Sequence, residues 1–333
     1  MANNLHLSFI MSPNERSQPI LDGSVQPEGI DLTTTSSSPG EIFWRQLHAA
    51  EFDISEMSVS SLLIVTAKGN SPWVAIPVFP IRRLFHTEIF VGADSGIERP
   101  EDLKGKRVGV PEYQQTAALW TRGALQHEFG VRPEDLHWHM ERTPQTSHGG
   151  ATGFQPPPGV DFQYIPLAKN IGAMIVSGEL DATAFYSSGG GSMVDRSTID
   201  LARHPRARRL FPDPEAEGVR YYEKTGIAPI NHTVVIRREI VDKHPWVAVN
   251  VYQAFVEAKE QMLKRARALA DPFIRLGMLP PETRKRMASD PYPYGLQANR
   301  KVLETAAEYS HEQGLTPRRV SLEEVFAPST LAL

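Results

Sequence analysis

Apolar positions along the chain fall into short runs of strand length that alternate with stretches of helical spacing. LHLSFI near the start is a strand, and a polar segment turning through Gly23 and Pro27 leads to a second. SPGEIFWRQLHAAEF predicts a helix with Ser38 as N-cap and Pro39 in its first position. FDISEMSVSSLLIVTAKGN predicts a brief strand, a polar corner at Glu56, Ser58 and Ser60, and another helix. The resulting order, strand–loop–strand–helix–strand–helix, favours an α/β fold.

The same alternation continues downstream. WVAIPVFPIRRLFHTEIFVGA holds two apolar runs interrupted by Pro80, Arg82, Arg83 and His86. A short helix opened by Pro100 and a strand follow, and then TAALWTRGALQHEFG predicts a helix closed by Gly130. LHWHM reads as a strand, TPQTSHGGATGFQPPPGV as a loop, and AMIVSGELDATAFYSSGGGS as a helix, a turn and a strand ending in a mobile glycine loop at Gly189 to Gly191. TGIAPINHTVVIRREIV returns the chain as a strand, and a long helix follows Pro245. Its apolar stripe, Val249, Tyr252, Phe255, Val256 and Leu263, reads as core packing. A last helix ends at Gly314.

Composition narrows the function classes. The 333 residues suffice for two lobes, and a net charge of −4 with 22% charged residues offers no basic surface for nucleic acid. No apolar run reaches the roughly 20 residues of a membrane span. The N-terminal stretch lacks the marks of an export signal, so a cytoplasmic protein is expected. The absence of cysteine excludes disulfides, thiolate nucleophiles and cysteine-ligated metal centres. SSGGGS lacks the lysine of a phosphate loop, and HPRARRLFP reads as a solvated or oligomer-facing basic run. His137 and His139 share a strand face, as a metal pair would, but no third ligand follows by spacing, so no metal and no cofactor are expected.

One segment concentrates chemistry. In DLKGKRVGVPEYQQTAALW a strand runs into a helix start carrying Glu112, Tyr113, Gln114, Gln115 and Thr116, and a helix N-terminus exposes backbone N–H groups that favour anions. RPEDLKGKRVGVPEYQQTAALW followed by SGELDA resembles the phrasing of the type 2 periplasmic-binding-protein fold. From LDGSVQPEGIDL through EFDISEMSVSSLL, AIPVFP, TGIAPINHTVVIRREIV and PYPYGLQANRKVLE the chain is similar to the 4,5-dihydroxyphthalate decarboxylases. That resemblance covers nearly the whole chain. It implies a two-lobed α/β type 2 periplasmic-binding-protein-like fold with a ligand cleft between lobes, residues 1–84 plus 230–333 forming one lobe and 85–229 the other. It departs from the family after VFP, where the run Ile81 to His86 keeps the first Arg and the His of Ser-Arg-x-Phe-Arg-His as Arg82 and His86 but lacks its Ser and second Arg, and at Tyr186 and Ser187, where the family often carries an arginine.

The resemblance implies cofactor-independent decarboxylation of a hydroxylated aromatic acid, with 4,5-dihydroxyphthalate going to protocatechuate and CO2. Such chemistry needs an arginine fork for carboxylates, a base near the phenol, an acid near the ring carbon and exclusion of water. Arg82 and Arg16 are the expected carboxylate ligands, since guanidinium meets carboxylate bidentately. His86 is the first candidate for proton transfer, followed by Glu112 and His232, with Glu56 as a phenol base. Ser58, Tyr113, Gln114, Thr116 and Tyr186 complete the expected substrate contacts. Each has a plainer reading: His86 as a satisfied interior histidine, Glu112 as a first-turn acid, Arg83 as a solvated strand-edge cation, and His148 as a loop histidine or a lid residue. The geometric expectation is that Arg82, His86 and Glu112 share one cavity. The expected partner is a small aromatic carboxylate, with homo-oligomers left open. The alternatives are a solute-binding protein for an aromatic anion, or a same-scaffold enzyme for another hydroxylated aromatic acid.

Overall fold

A computed structural model describes residues 4–69, 71–188 and 194–333. The described strands, in chain order, are β1 (Leu5–Met11), β2 (Ile30–Ser36), β3 (Ile54–Ser58), β4 (Trp73–Ile76), β5 (Phe90–Gly92), β6 (Arg107–Val110), β7 (His137–Met140), β8 (Asp161–Tyr164), β9 (Ala182–Thr183), β10 (Ala207–Arg209) and β11 (His232–Arg237). They form two sheets, ordered β2-β1-β3-β11-β4 and β10-β5-β9-β6-β7-β8. In the first, β1 runs parallel to β2 and β3, while β11 is antiparallel to both β3 and β4. In the second, β6 runs parallel to β7 and β9, and β7 to β8, whereas β5 is antiparallel to β9. The chain therefore leaves the first sheet after β4 and returns to it as β11.

The two crossing segments are bonded to each other. Arg83 donates its backbone N–H to Pro229 O at 3.2 Å, Asn231 donates to Ile81 O at 2.9 Å, and Arg82 bridges Ile230. The segment 81–83 is thus extended, and its side chains alternate in direction. The main apolar cluster continues from one sheet to the other and includes Phe79, Phe85, Trp120 and Ile230. Trp120 also donates its indole N–H to Ile230 O at 2.9 Å.

Local signals explain the helices that point at the cleft. Pro39 occupies the first turn of Pro39–Ala49, and Ser38 before it is extended at φ −71°, ψ 148°. Gly130 closes Thr116–Phe129 in the left-handed region at φ 65°. The helix Trp246–Arg275 buries Val247, Val251, Ala254, Phe255 and Ala258. Of the predicted stripe Phe255 is fully buried and Tyr252 and Val256 pack half-buried against the core, because the buried face is rotated slightly from the assumed one.

Four elements were not separated by the apolar pattern. The presumed loop after β7 contains the short helix His148–Thr152, whose N-cap Ser147 accepts the Gly149 N–H at 2.9 Å. It also leads into β8. The helix Pro214–Thr225 is capped by Asp213, which accepts from Ala216 N at 2.9 Å. HPRARRLFP contributes β10 at the edge of the second sheet. The glycine loop expected at Gly189 to Gly191 lies outside the described residues.

Candidate active site

A cavity of about 270 Å³ opens where the two sheets face each other across the crossing segments. Its walls come from the carboxyl ends of strands, as in other open α/β sheets. Ser58 ends β3, and the antiparallel register sets His232 directly opposite it. Glu56 lies two residues back on the same face, so it reaches His232 diagonally across the pair. Arg142 follows the end of β7, and Glu112 lies in the turn after β6.

Two histidines face this cavity, one on each side, and each is backed by a buried glutamate. His232 Nδ1 lies 2.5 Å from Glu56 Oε1. Glu56 is fully buried and also accepts the Ser12 N–H at 2.9 Å and the Ser12 hydroxyl at 2.5 Å. Burial pushes the Glu56 carboxyl up, but the His232 charge and the hydrogen bonds from His232 and Ser12 outweigh it and hold the group below the ordinary glutamate range. The other ring nitrogen, Nε2, accepts from Asn231 Nδ2 at 2.8 Å. Nδ1 is thus turned to the carboxylate and Nε2 to the Asn231 amide at the cavity wall.

On the opposite wall His148 Nε2 lies 2.6 Å from Glu112 Oε2, and Arg142 Nη1 lies 3.6 Å from the same oxygen. Arg142 donates Nε–H to Asp195 Oδ1 at 2.8 Å. Burial again opposes ionisation of Glu112, and the charges of His148 and Arg142 reverse the balance, so this carboxyl too sits below its usual range. Phe43, from Pro39–Ala49, packs against both imidazoles near-perpendicularly, at ring-centre distances of 4.8 Å to His232 and 5.8 Å to His148.

Two helix N-termini also open onto the cavity, through Ser38, Pro39 and Gly40 on one side and Gln115, Thr116 and Ala117 on the other. Neither N-cap side chain bonds its own helix. Their backbone N–H groups remain available to an anion. Ser58 Oγ and Thr116 Oγ1 meet at 2.8 Å, and Ser60 N–H donates to Thr116 Oγ1 at 2.9 Å, tying the two walls together.

Of the residues expected from the sequence, Ser58, Thr116 and His232 line the cavity, and Glu56 and Glu112 stand directly behind its histidines. The others are placed elsewhere. Arg82 donates to Ala228 O at 3.3 Å, to Pro293 O at 2.8 Å and to Asn299 Oδ1, and burial lowers its pKa to about 10. Arg16 donates to Pro80 O and stacks 4.0 Å over the Tyr292 ring. His86 meets Glu217 at 3.0 Å and packs against Tyr221, and burial pulls its pKa down despite that partner. Tyr113 is enclosed by Trp138, Phe154 and the Arg122 guanidinium. Gln114 donates to Ser147 Oγ at 3.3 Å, and Tyr186 donates to Ile199 O at 2.6 Å, with burial raising its phenol to about 12. Arg82, His86 and Glu112 therefore do not share a cavity, and the geometric expectation is corrected. His137 and His139 also part company, the first meeting Asp161 at 2.5 Å and the second Gln163 at 3.1 Å.

The cavity also holds Arg83, Arg142, His148 and Asn231, of which the sequence offers only His148 for the cleft, as a lid residue beside a plain loop reading. Period-two alternation could have flagged one of Arg82 and Arg83, because Ile81 and Arg83 face the cavity together while Arg82 faces away. It could not say which. Arg142 carried no signal, and His148 only that of a histidine among glycines, since their segment showed only loop residues.

The fold is that of the two-lobed type 2 periplasmic binding proteins. It matches the alkanesulfonate-binding protein SsuA from Xanthomonas axonopodis pv. citri at a TM-score of 0.55 and 18% identity, over 99% of both chains. The family described as ABC transporter, phosphonate, periplasmic substrate-binding protein matches residues 41–271. Within that fold the chain belongs to the 4,5-dihydroxyphthalate decarboxylase family. It is 34% identical to the 4,5-dihydroxyphthalate decarboxylase of Comamonas testosteroni, over 99% of this chain and 98% of that one. It is 36% identical to the protein of the same name from Pseudomonas putida, over 66% of this chain and 82% of the other.

Proposed function

We propose that this protein is a carboxy-lyase that removes CO2 from a hydroxylated aromatic diacid, 4,5-dihydroxyphthalate, to give protocatechuate. The full-length kinship with decarboxylases of that name supports the reading. The structural observation that carries it is the His232–Glu56 pair opening onto a 270 Å³ cavity between two helix N-termini. The volume lies at the small end of ligand sites, near the scale of a single substituted ring.

The chemistry follows from the groups present. His232 Nε2 exchanges the Asn231 amide for the substrate hydroxyl para to a carboxylate and takes its proton, and Glu56 stabilises the imidazolium that forms. The phenolate pushes electrons into the ring, and the carbon bearing the carboxylate accepts a proton. The bond to the carboxylate then breaks, its electron pair restores aromaticity, and the phenolate retakes its proton from His232. Each turnover consumes one proton. Arg83 and the helix N-termini offset the negative charge of the diacid.

The test is to incubate the purified protein, after chelator treatment, with 4,5-dihydroxyphthalate in D2O. The expected result is one CO2 per substrate, with one deuterium at the vacated ring carbon of protocatechuate. Binding without CO2 release would assign the protein to anion binding instead.

A further inference from the structure

Protonation at carbon needs a second group, because the phenol and the carboxyl-bearing carbon lie at opposite ends of the ring. One imidazole cannot serve both. We propose that His148 is the acid that protonates the ring carbon, and that Arg142 with the N-terminus of Pro39–Ala49 holds the departing carboxylate beside it. This rests on the decarboxylase reading above.

Four observations point the same way. His148 is 2% exposed and lines the cavity, with Nε2 2.6 Å from Glu112 Oε2 and neither ring nitrogen in hydrogen-bond geometry with a partner. His232, by contrast, has both ring nitrogens engaged, Nδ1 with Glu56 and Nε2 as acceptor from Asn231. The two rings line the same cavity and pack against the same Phe43 ring, at centre distances of 5.8 Å for His148 and 4.8 Å for His232, close enough for a base and an acid to work on one aromatic ring. Arg142 touches the same Glu112 oxygen as His148, so cation and acid form one cluster.

Gly40 places the anion. A Cβ there would fall 3.2 Å from Arg142 Nη2, so the guanidinium lies against the first turn of a helix whose N-cap side chain leaves the N–H groups free. Gln115, at the second helix N-terminus, is also buried on the cavity wall with Nε2 unpartnered. A carboxylate held between Arg142 and Gly40 brings its ring carbon to His148.

The turn carrying His148 is built for this placement. Ser147 caps it, and Gly149 lets Gln114 pack onto its backbone, where any Cβ would collide with that amide. Gln114 is therefore a positioning residue for His148. In the reaction the His148 Nδ1–H bond breaks as the new ring C–H bond forms. The C–C bond then releases CO2, and His148 recovers a proton from solvent.

The test compares wild type, His148→Gln and His148→Ala, with folding checked by thermal melting and protocatechuate binding by calorimetry. The expected outcome is a fall in kcat of about 10²–10⁴-fold in both variants, with product affinity changed by less than about threefold. Imidazole added to His148→Ala restores CO2 release and ring deuteration in proportion to its concentration. A folded His148→Gln that turns over within about fivefold of wild type overturns the proposal, as does a folded, product-binding His148→Ala that imidazole leaves inert. If wild type itself releases no CO2, the decarboxylase reading falls and takes this role with it; an active wild type beside an active His148→Gln removes this role alone.

Discussion

At the residue scale, the site depends on buried carboxylates kept ionised by their neighbours. Glu56 and Glu112 are both held below the ordinary glutamate value of 4.5. A lowered folded pKa means each contributes stability that is fully present above that value and is lost as pH falls through the folded one. Glu112→Gln strands His148 and Arg142 without their shared acceptor. It is expected to cost about 3 kcal/mol at pH 7, because breaking a buried pair leaves an uncompensated charge. That deficit should shrink steadily in denaturant titrations below pH 4.5, where wild type loses the same interaction. A deficit independent of pH would show that the carboxylate charge is not what stabilises this wall. Glu56→Gln should instead act mainly on chemistry, lowering kcat by about 10²-fold or more with a small change in KM, as steady-state kinetics would reveal.

At the element scale, the strand and helix ends decide what the cavity can bind. The N-terminus of Pro39–Ala49 tolerates no side chain at its second position: a Cβ on Gly40 would fall 2.8 Å from Val194 Cγ2 and 3.2 Å from Arg142 Nη2. Gly40 lies within the helix, so alanine there favours the helical backbone by up to about 1 kcal/mol. Gly40→Ala should therefore lower the melting temperature, the helical gain offsetting only part of the clash with Val194, while KM for the diacid rises by about tenfold as Arg142 is displaced. Melting curves and kinetics on one preparation separate the two effects. An unchanged KM would show that the carboxylate sits elsewhere.

At the scale of the whole molecule, the arginines most conspicuous in the sequence turn out to join the halves of the protein. Arg82 ties one crossing segment to the other through Ala228 O, and both to the C-terminal region through Pro293 O and Asn299. Arg16 and Lys259 reach the same 290–294 turn, over Tyr292 and onto Tyr292 O at 3.1 Å. Arg82→Ala leaves buried acceptors unsatisfied and is expected to cost about 2–3 kcal/mol of stability. At a temperature where it remains folded, its kcat and KM should stay within about threefold of wild type. A large rise in KM without loss of stability would return Arg82 to the substrate.

Much of this was legible from residue order alone. The strand and helix alternation, the helix starts at Pro39 and Thr116, the polar corner at Glu56 and Ser58, and the return strand at His232 follow from local spacing and capping, which neighbours in sequence determine. Which side chain faces the cleft did not follow. Arg82 and Arg83 differ by one position on an extended segment, and only the hydrogen bonds to Pro229 and Ile81 settle which one turns inward. His86 looked poised for catalysis until the helix Pro214–Thr225 supplied Glu217 as its partner. His148 and Arg142 reached the cavity through a turn with no apolar pattern to announce it. Local sequence determines elements because their hydrogen bonds are short-range, whereas a site assembled from residues between Gly40 and His232 exists only once tertiary packing has brought its walls together.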